Sequence, residues 1–320
     1  MMSEHLCKID IGDIDLTDQR YQISFSNENI VFLGQSIRET GLMDPPMVRL
    51  LNNHYIIVSG FNRIKASIHN KKDTIFVYTI KPDAGEYQCL LKSITALSFK
   101  RQLSQAELIK SIKLLNKFMD EKQIADKSAA IFNMELNVIF IKDLLNIANL
   151  PEPALELIHK GNISFKTAKR MQFFQQETIK SFLKVFSKIK ASNNKQLEII
   201  QYIVEISKRD AVNIEVFFQN HEIQKIILNE KSEPLLKTKL LREYLYKLRF
   251  PTIFKIRQKV QRKINNLKLG NNIKFVPPEN FESQNYSISF NAKSYIEFKA
   301  NIKTLNNVLE NQKLKEVFDQ

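Results

Sequence analysis

Between Leu33 and Asn70 the chain reads LGQSIRETGLMDPPMVRLLNNHYIIVSGFNRIKASIHN, and few folds accommodate that order of signals. Ser26 can cap a helix over 27–40, with Ile30, Leu33 and Ile37 on one face. Gly41 suits the left-handed residue that closes a helix. Pro45-Pro46 hold the backbone extended ahead of a strand. Met47–Leu51 and 55–59 then read as strands joined by Asn52-Asn53-His54, since asparagine tolerates the positive φ of a tight turn. Gly60 follows the second strand and opens a short helix, Phe61–His69, and Thr74–Ile80 alternates as a further strand. A strand that ends in glycine and runs into a helix leaves backbone N–H groups free, and such a junction can hold a phosphate.

From residue 85 onward the period changes from two to about 3.6. Helices are predicted over 87–98, 105–119, 121–131, 137–149, 153–160 and 164–174. Ser104 with Glu107 three residues later forms a capping-box pattern. Several short helices joined by tight turns are what a helix-turn-helix domain needs. Helical patterning continues over 177–229. A long basic stretch, 235–269, is broken at Phe250-Pro251, because proline removes a helix hydrogen bond and clashes with the turn before it. Extended backbone is predicted at 273–276, an alternating strand at Tyr286, Ile288 and Phe290, and a last helix over 294–317.

The net charge of +14 is unevenly placed. Residues 1–90 hold 9 Lys/Arg against 11 Asp/Glu, residues 91–170 hold 13 against 8, and residues 171–320 hold 26 against 15. The basic excess in the middle and C-terminal parts points to a polyanion, with nucleic acid ahead of membrane. A Lys/Asn/Ile-rich composition can also follow from AT-rich coding. No apolar run approaches the roughly 18 residues of a membrane span. The acidic start, MMSEHLCKIDIGDIDL, lacks an apolar signal core, so a cytoplasmic, nucleoid-associated protein is expected. Cys7 and Cys89 provide neither a disulfide framework nor a zinc spacing.

Two boxes carry a family resemblance. SIRETGLMDPPMVRL is similar to the first box of ParB-type partition proteins, with Arg49 at its arginine. YIIVSGFNRIKAS is similar to the second, a strand, a Gly-x-Arg-Arg turn and a helix. Gly60 and Arg63 occupy the outer turn positions, and Phe61 and Asn62 replace the usual acidic residue and first arginine. Further on, LSQAELIKSIKLLNKF and NLPEPALELIHKGNISFKTAKRM resemble the opening and later parts of the ParB helix-turn-helix domain, in matching order and spacing. The resemblance covers about residues 22–175.

It implies that Arg49, Gly60, Phe61, Asn62 and Arg63 form a surface for cytidine triphosphate (CTP) with Mg2+, gating a DNA clamp. The third family motif should add an acid and an asparagine. Here that stretch is Thr95-Ala96-Leu97-Ser98, which has neither, although Lys100-Arg101 fits the basic position that follows. The fold is shared with sulfiredoxin, whose glycine turn carries a cysteine that GFNR lacks. Asp44 and His54 lie near the boxes but do not by themselves make the grouped carboxylates or histidines of a metal-dependent nuclease.

The expected fold class is α+β: a small mixed α/β domain over 1–84, an all-α helix-turn-helix domain over 85–175, and a basic, mainly helical region over 176–320 ending in a strand–helix unit. The expected function is DNA binding in chromosome or plasmid partition, or in related transcription or nucleoid roles. The alternatives are a nuclease or nucleotide hydrolase on the same fold, and a regulatory adaptor. Candidate DNA contacts are Lys100, Arg101, Asn137, Lys142, Lys166, Lys169 and Arg170, then Lys247, Arg249, Lys255, Arg257, Lys259, Arg262 and Lys263 in the basic stretch. A helix from Asn137 can be a base reader or a structural helix. Tyr244, Tyr246, Phe250 and Phe254 interleave with these charges, and their helical spacing favours core over base stacking. The final strand–helix tail reads either as a dimerisation unit or as an edge strand packed within one chain. Partners implied are double-stranded DNA, a second copy of the chain and a partition ATPase.

Overall fold

Alternating side chains put His5–Asp10 (β1) into a strand, with Ile9 turned inward and Lys8 outward. Sequence patterning had given this segment no element. The computed structural model describes residues 5–25, 29–81, 83–278, 285–309 and 312–318. Two units are resolved, Met1–Leu197 and Glu198–Gln320.

In the first unit β1 is followed by a two-residue strand, Ile14–Asp15 (β2), and a helix, Ile30–Thr40 (α1). Asn29 caps α1, accepting hydrogen bonds from the N–H groups of Val31 and Phe32, so the cap is one turn later than the sequence suggested. Ser26 and Asn27 lie outside the described residues. Met47–Leu51 (β3) and His54–Ser59 (β4) pair antiparallel across Asn52 and Asn53, both at positive φ as the turn requires. Phe61–His69 (α2) and Thr74–Ile80 (β5) follow. The sheet order is β1-β5-β3-β4-β2, with β1/β5 and β3/β4 antiparallel and β3/β5 and β2/β4 parallel. Ile9, Ile11, Ile14, Val48, Ile57, Ile64, Ile75 and Val77 form its core. α1 lies against α2, and a side chain on Gly34 would meet Asn70 Oδ1 at 2.9 Å, where Asn70 donates to the Gly34 carbonyl at 2.7 Å.

Helices Glu86–Ser98 (α3) and Gln105–Leu115 (α4) come next, and the Ser104–Glu107 capping box is present at α4. The predicted 121–131 helix is two, Glu121–Asp126 (α5) and Ser128–Phe132 (α6), broken at Lys127. Asn133 closes α6 in the left-handed conformation. Ser128 Oγ accepts from Leu136 N–H at 2.9 Å and pins the turn into Val138–Ile147 (α7). Pro153–His159 (α8), Phe165–Met171 (α9) and Gln176–Phe186 (α10) lead into Asn193–Arg209 (α11), within which the two units divide.

The second unit continues with Ile214–Phe218 (α12), His221–Leu228 (α13), Pro234–Arg249 (α14) and Pro251–Asn266 (α15), the break falling at Pro251 as expected. Ile273–Val276 (β6) and Ser287–Phe290 (β7) pair antiparallel, followed by Tyr295–Leu309 (α16) and Gln312–Phe318 (α17). The tail strand therefore has a partner within the chain, as the edge-strand reading of the tail requires. Phe275, Val308 and Val317 close a small core with Val260 and Ile264 of α15.

Candidate functional site

A cleft of about 520 Å³ opens in the first unit where the β4–α2 junction faces α3. One wall is Ser59, Gly60, Phe61, Asn62 and Arg63; the other is Ala96, Leu97, Lys100 and Arg101; Tyr21 to Ser24 run along it. Gly60 sits at φ 84°, ψ 27°, and a Cβ there would lie 2.8 Å from Pro46 Cβ. Both constraints demand glycine. Its carbonyl accepts from Arg63 N–H at 2.9 Å and Ile64 N–H at 3.2 Å, starting α2 with no side chain over the helix end. The N-terminus of α2 thus faces the cleft with its dipole positive.

Arg63 is mostly buried and forms an ion pair with exposed Asp44, which also lines the cleft. The sequence places Asp44 in a loop near the boxes, and its pairing with Arg63, 19 residues on, is a tertiary contact. Among the described residues no group of three His, Cys, Asp or Glu could hold a metal ion. Asp44 is the one acid in the described lining, and it is engaged by Arg63. The lining therefore does not fit a protein-held Mg2+.

Arg49 is not part of the lining. Its Nη1 donates to the Tyr21 hydroxyl at 3.4 Å, behind the cleft wall. Burial pushes the Tyr21 phenol and the Cys89 thiol up, and the Arg49 charge opposes both shifts. Lys100 and Arg101, expected at DNA, are cleft residues. Glu107 is fully buried behind Arg101 and takes both ends of its guanidinium, at 2.8 and 2.6 Å. Burial raises the Glu107 carboxyl, but hydrogen bonds from Arg101 and from Ser104 N–H outweigh it and hold the group at about 2. The sequence marked Glu107 as a capping residue. Its second role and the Tyr21–Ser24 wall carry no periodic signal, so pattern reading missed them.

In the helical part, α5, α6, the 133–137 turn and α7 follow one another, and α7 packs against α4 and α5. Asn137 is exposed and caps α7, accepting from Phe140 N–H at 2.8 Å. Lys142 and Asn146 are exposed on α7, with Ile139 between them and the cap. Lys169 pairs with Asp143 at 2.5 Å, joining α9 to α7. Lys166 is exposed, and Arg170 stacks over Phe174 at 5.9 Å.

In the second unit the basic run is partly internal. Lys237 is buried and donates to the Ile227 carbonyl at 2.9 Å. Arg242 pairs with Glu198 at 2.6 Å and Arg249 with Glu205. Lys263 donates to the Glu316 carbonyl. Lys247, Lys255, Arg257, Lys259 and Arg262 remain exposed, and 255, 259 and 262 share one face of α15. Tyr246 and Phe250 pack on each other at 5.2 Å and on Tyr202 at 6.5 and 5.8 Å, all three half-buried rather than in the core.

With this geometry in place the comparisons are specific. The model of the ParB N-terminal domain matches residues 1–92. Those residues are similar to a ParB N-terminal domain. It is similar to a probable chromosome-partitioning protein ParB of Borreliella burgdorferi, 27% identical over 164 residues, half of this chain and 60% of that protein. A probable ParB of Campylobacter jejuni is 26% identical over 220 residues, 62% of this chain and 74% of that protein. A solved C-terminally truncated ParB from Caulobacter crescentus, complexed with CTP-gamma-S, aligns at 19% identity and a TM-score of 0.27, over 54% of this chain and 94% of that one. No helix among the described residues is long and apolar enough to cross a membrane.

Proposed function

We propose that the chain is a ParB-type partition protein that binds double-stranded DNA and takes CTP in the Gly60 cleft. The observation that carries this reading is the meeting, in one cleft, of the Gly60–Arg63 helix start with Lys100 and Arg101. Amides at the start of α2 and the Arg63 guanidinium would take phosphate oxygens, in competition with Asp44. Phe61 and Asn62 would line the phosphate end, and Lys100 and Arg101 the opposite wall. Arg49 would support Tyr21 rather than touch the ligand. The Mg2+ of the family resemblance has no carboxylate set here, so any such ion would be held by the nucleotide's own phosphates.

DNA would lie on the exposed face of α7, with Asn137 and Lys142 toward base edges and Lys166, Lys169 and Arg170 toward phosphates. Lys247, Lys255, Arg257, Lys259 and Arg262 would add sequence-independent attraction. The chain would act as a homodimer on the nucleoid, in the cytoplasm, with a partition ATPase as further partner. For the dimer, the exposed apolar side chains Tyr295, Ile296 and Phe298 of α16 supply a surface. Titration with labelled CTP, with and without duplex DNA, tests the reading. Saturable binding that DNA alters supports it. Flat titrations together with unchanged DNA mobility at low salt and micromolar protein overturn it.

A further inference from the structure

Arg101, its side chain 36% exposed, reaches the cleft tied to a buried carboxylate. Glu107, at the first turn of α4, receives both arms of its guanidinium. Arg101 Nη2 also donates to Ser24 Oγ at 3.3 Å, and Ser24 lines the cleft. The same carboxylate accepts from Ser104 N–H at 2.8 Å and from Phe25 N–H at 3.4 Å. Phe25 is in turn stacked on His159 at 5.3 Å, with the Lys110 ammonium 5.2 Å from its ring. One carboxylate thus fixes a cleft arginine, the cleft wall next to it and the start of α4. α4 is tied to the end of α7 by Lys113, whose Nζ donates to the Ala148 carbonyl at 2.7 Å.

A cation that binds phosphate or a nucleobase must be held still to contribute affinity, because ordering a free arginine on binding costs side-chain entropy. The Glu107 carboxylate meets both arms of the fork and is itself inaccessible to solvent. We infer that Glu107 is a positioning residue of the nucleotide cleft, acting through Arg101 and the Ser24–Phe25 wall and not by touching the ligand. The inference rests on the nucleotide reading above.

The test is a double-mutant cycle on CTP affinity in the full chain, using Glu107→Gln, Arg101→Gln and both together, with thermal melts in parallel. Each single variant is expected to weaken binding about tenfold or more, and the double variant no more than the weaker single. Arg101→Lys, which keeps the charge and loses the fork, is expected to weaken binding to the same degree; it keeps the cycle readable if Glu107→Gln does not fold. Glu107→Gln or Arg101→Lys binding within about twofold of the parent, or losses that multiply in the double variant, overturn the positioning role. A parent chain that binds no CTP overturns the nucleotide reading first, and the positioning role with it.

Discussion

At the scale of single residues the cleft depends on conformations and charges that each have one cause. Gly60 is held at φ 84° against Pro46. Gly60→Ala should lose about 3 kcal/mol of stability, combining the left-handed penalty with overpacking; a urea melt checks this, and a loss under about 0.5 kcal/mol would refute it. Asp44 occupies Arg63 with an internal anion. Asp44→Asn should therefore tighten CTP binding several-fold, read by the same titration, while weaker binding would mean that Asp44 helps hold the ligand. Glu107 is depressed from 4.5 to about 2 in the folded state. A depressed carboxylate stabilises the fold above its unfolded value and loses that contribution as pH falls from about 4.5 toward 2. Acid melts of the parent should steepen in that window, and those of Glu107→Gln should flatten.

At the scale of elements, termini explain which helices the sequence revealed. The Ser104 and Asp120 capping boxes and the N1 prolines Pro234 and Pro251 are local devices, and the helices begin where these residues place them. The α5–α6 break at Lys127 has no local marker; a bond from Leu136 N–H to Ser128 Oγ, eight residues back, accompanies it. α7 is anchored by Ile141, Leu144 and Ile147, all fully buried. Leu144→Ala should cost about 2–5 kcal/mol and, on the proposed DNA reading of α7, abolish DNA binding, measured by melting and mobility shift. On α15, Lys255, Lys259 and Arg262 share an exposed face. Replacing all three by Gln should reduce the slope of log K against log salt by about 3 without altering preference between DNA sequences. An unchanged slope would place DNA elsewhere.

At the scale of the whole molecule, charge and apolar surface separate. Much of the C-terminal basic excess faces solvent, but Lys237 is buried and Arg242, Arg249 and Lys263 are engaged by partners within the chain. With β6 and β7 paired within the chain, the first turns of α16 are the surface offered for the proposed dimer. Tyr295 and Ile296 are 77% and 79% exposed, more than scattered surface apolars need. Ile296→Lys combined with Phe298→Lys should convert a dimer to a monomer in sedimentation without lowering the melting temperature by more than a few degrees. A dimer that survives both changes would place the interface elsewhere.

The sequence by itself determined the βαβ-like order around Gly60, the helix starts and the family resemblance, because turns, caps and hydrophobic period are set by residues within a few positions of one another. Only the tertiary structure decided which side chains meet. Lys100 and Arg101 went to the cleft, Arg49 went behind Tyr21, and Asp44 came to Arg63 across 19 residues of chain. Those pairings join residues far apart in sequence, and their charges could equally have faced solvent. Packing of the sheet against α2 and α3 supplied the choice.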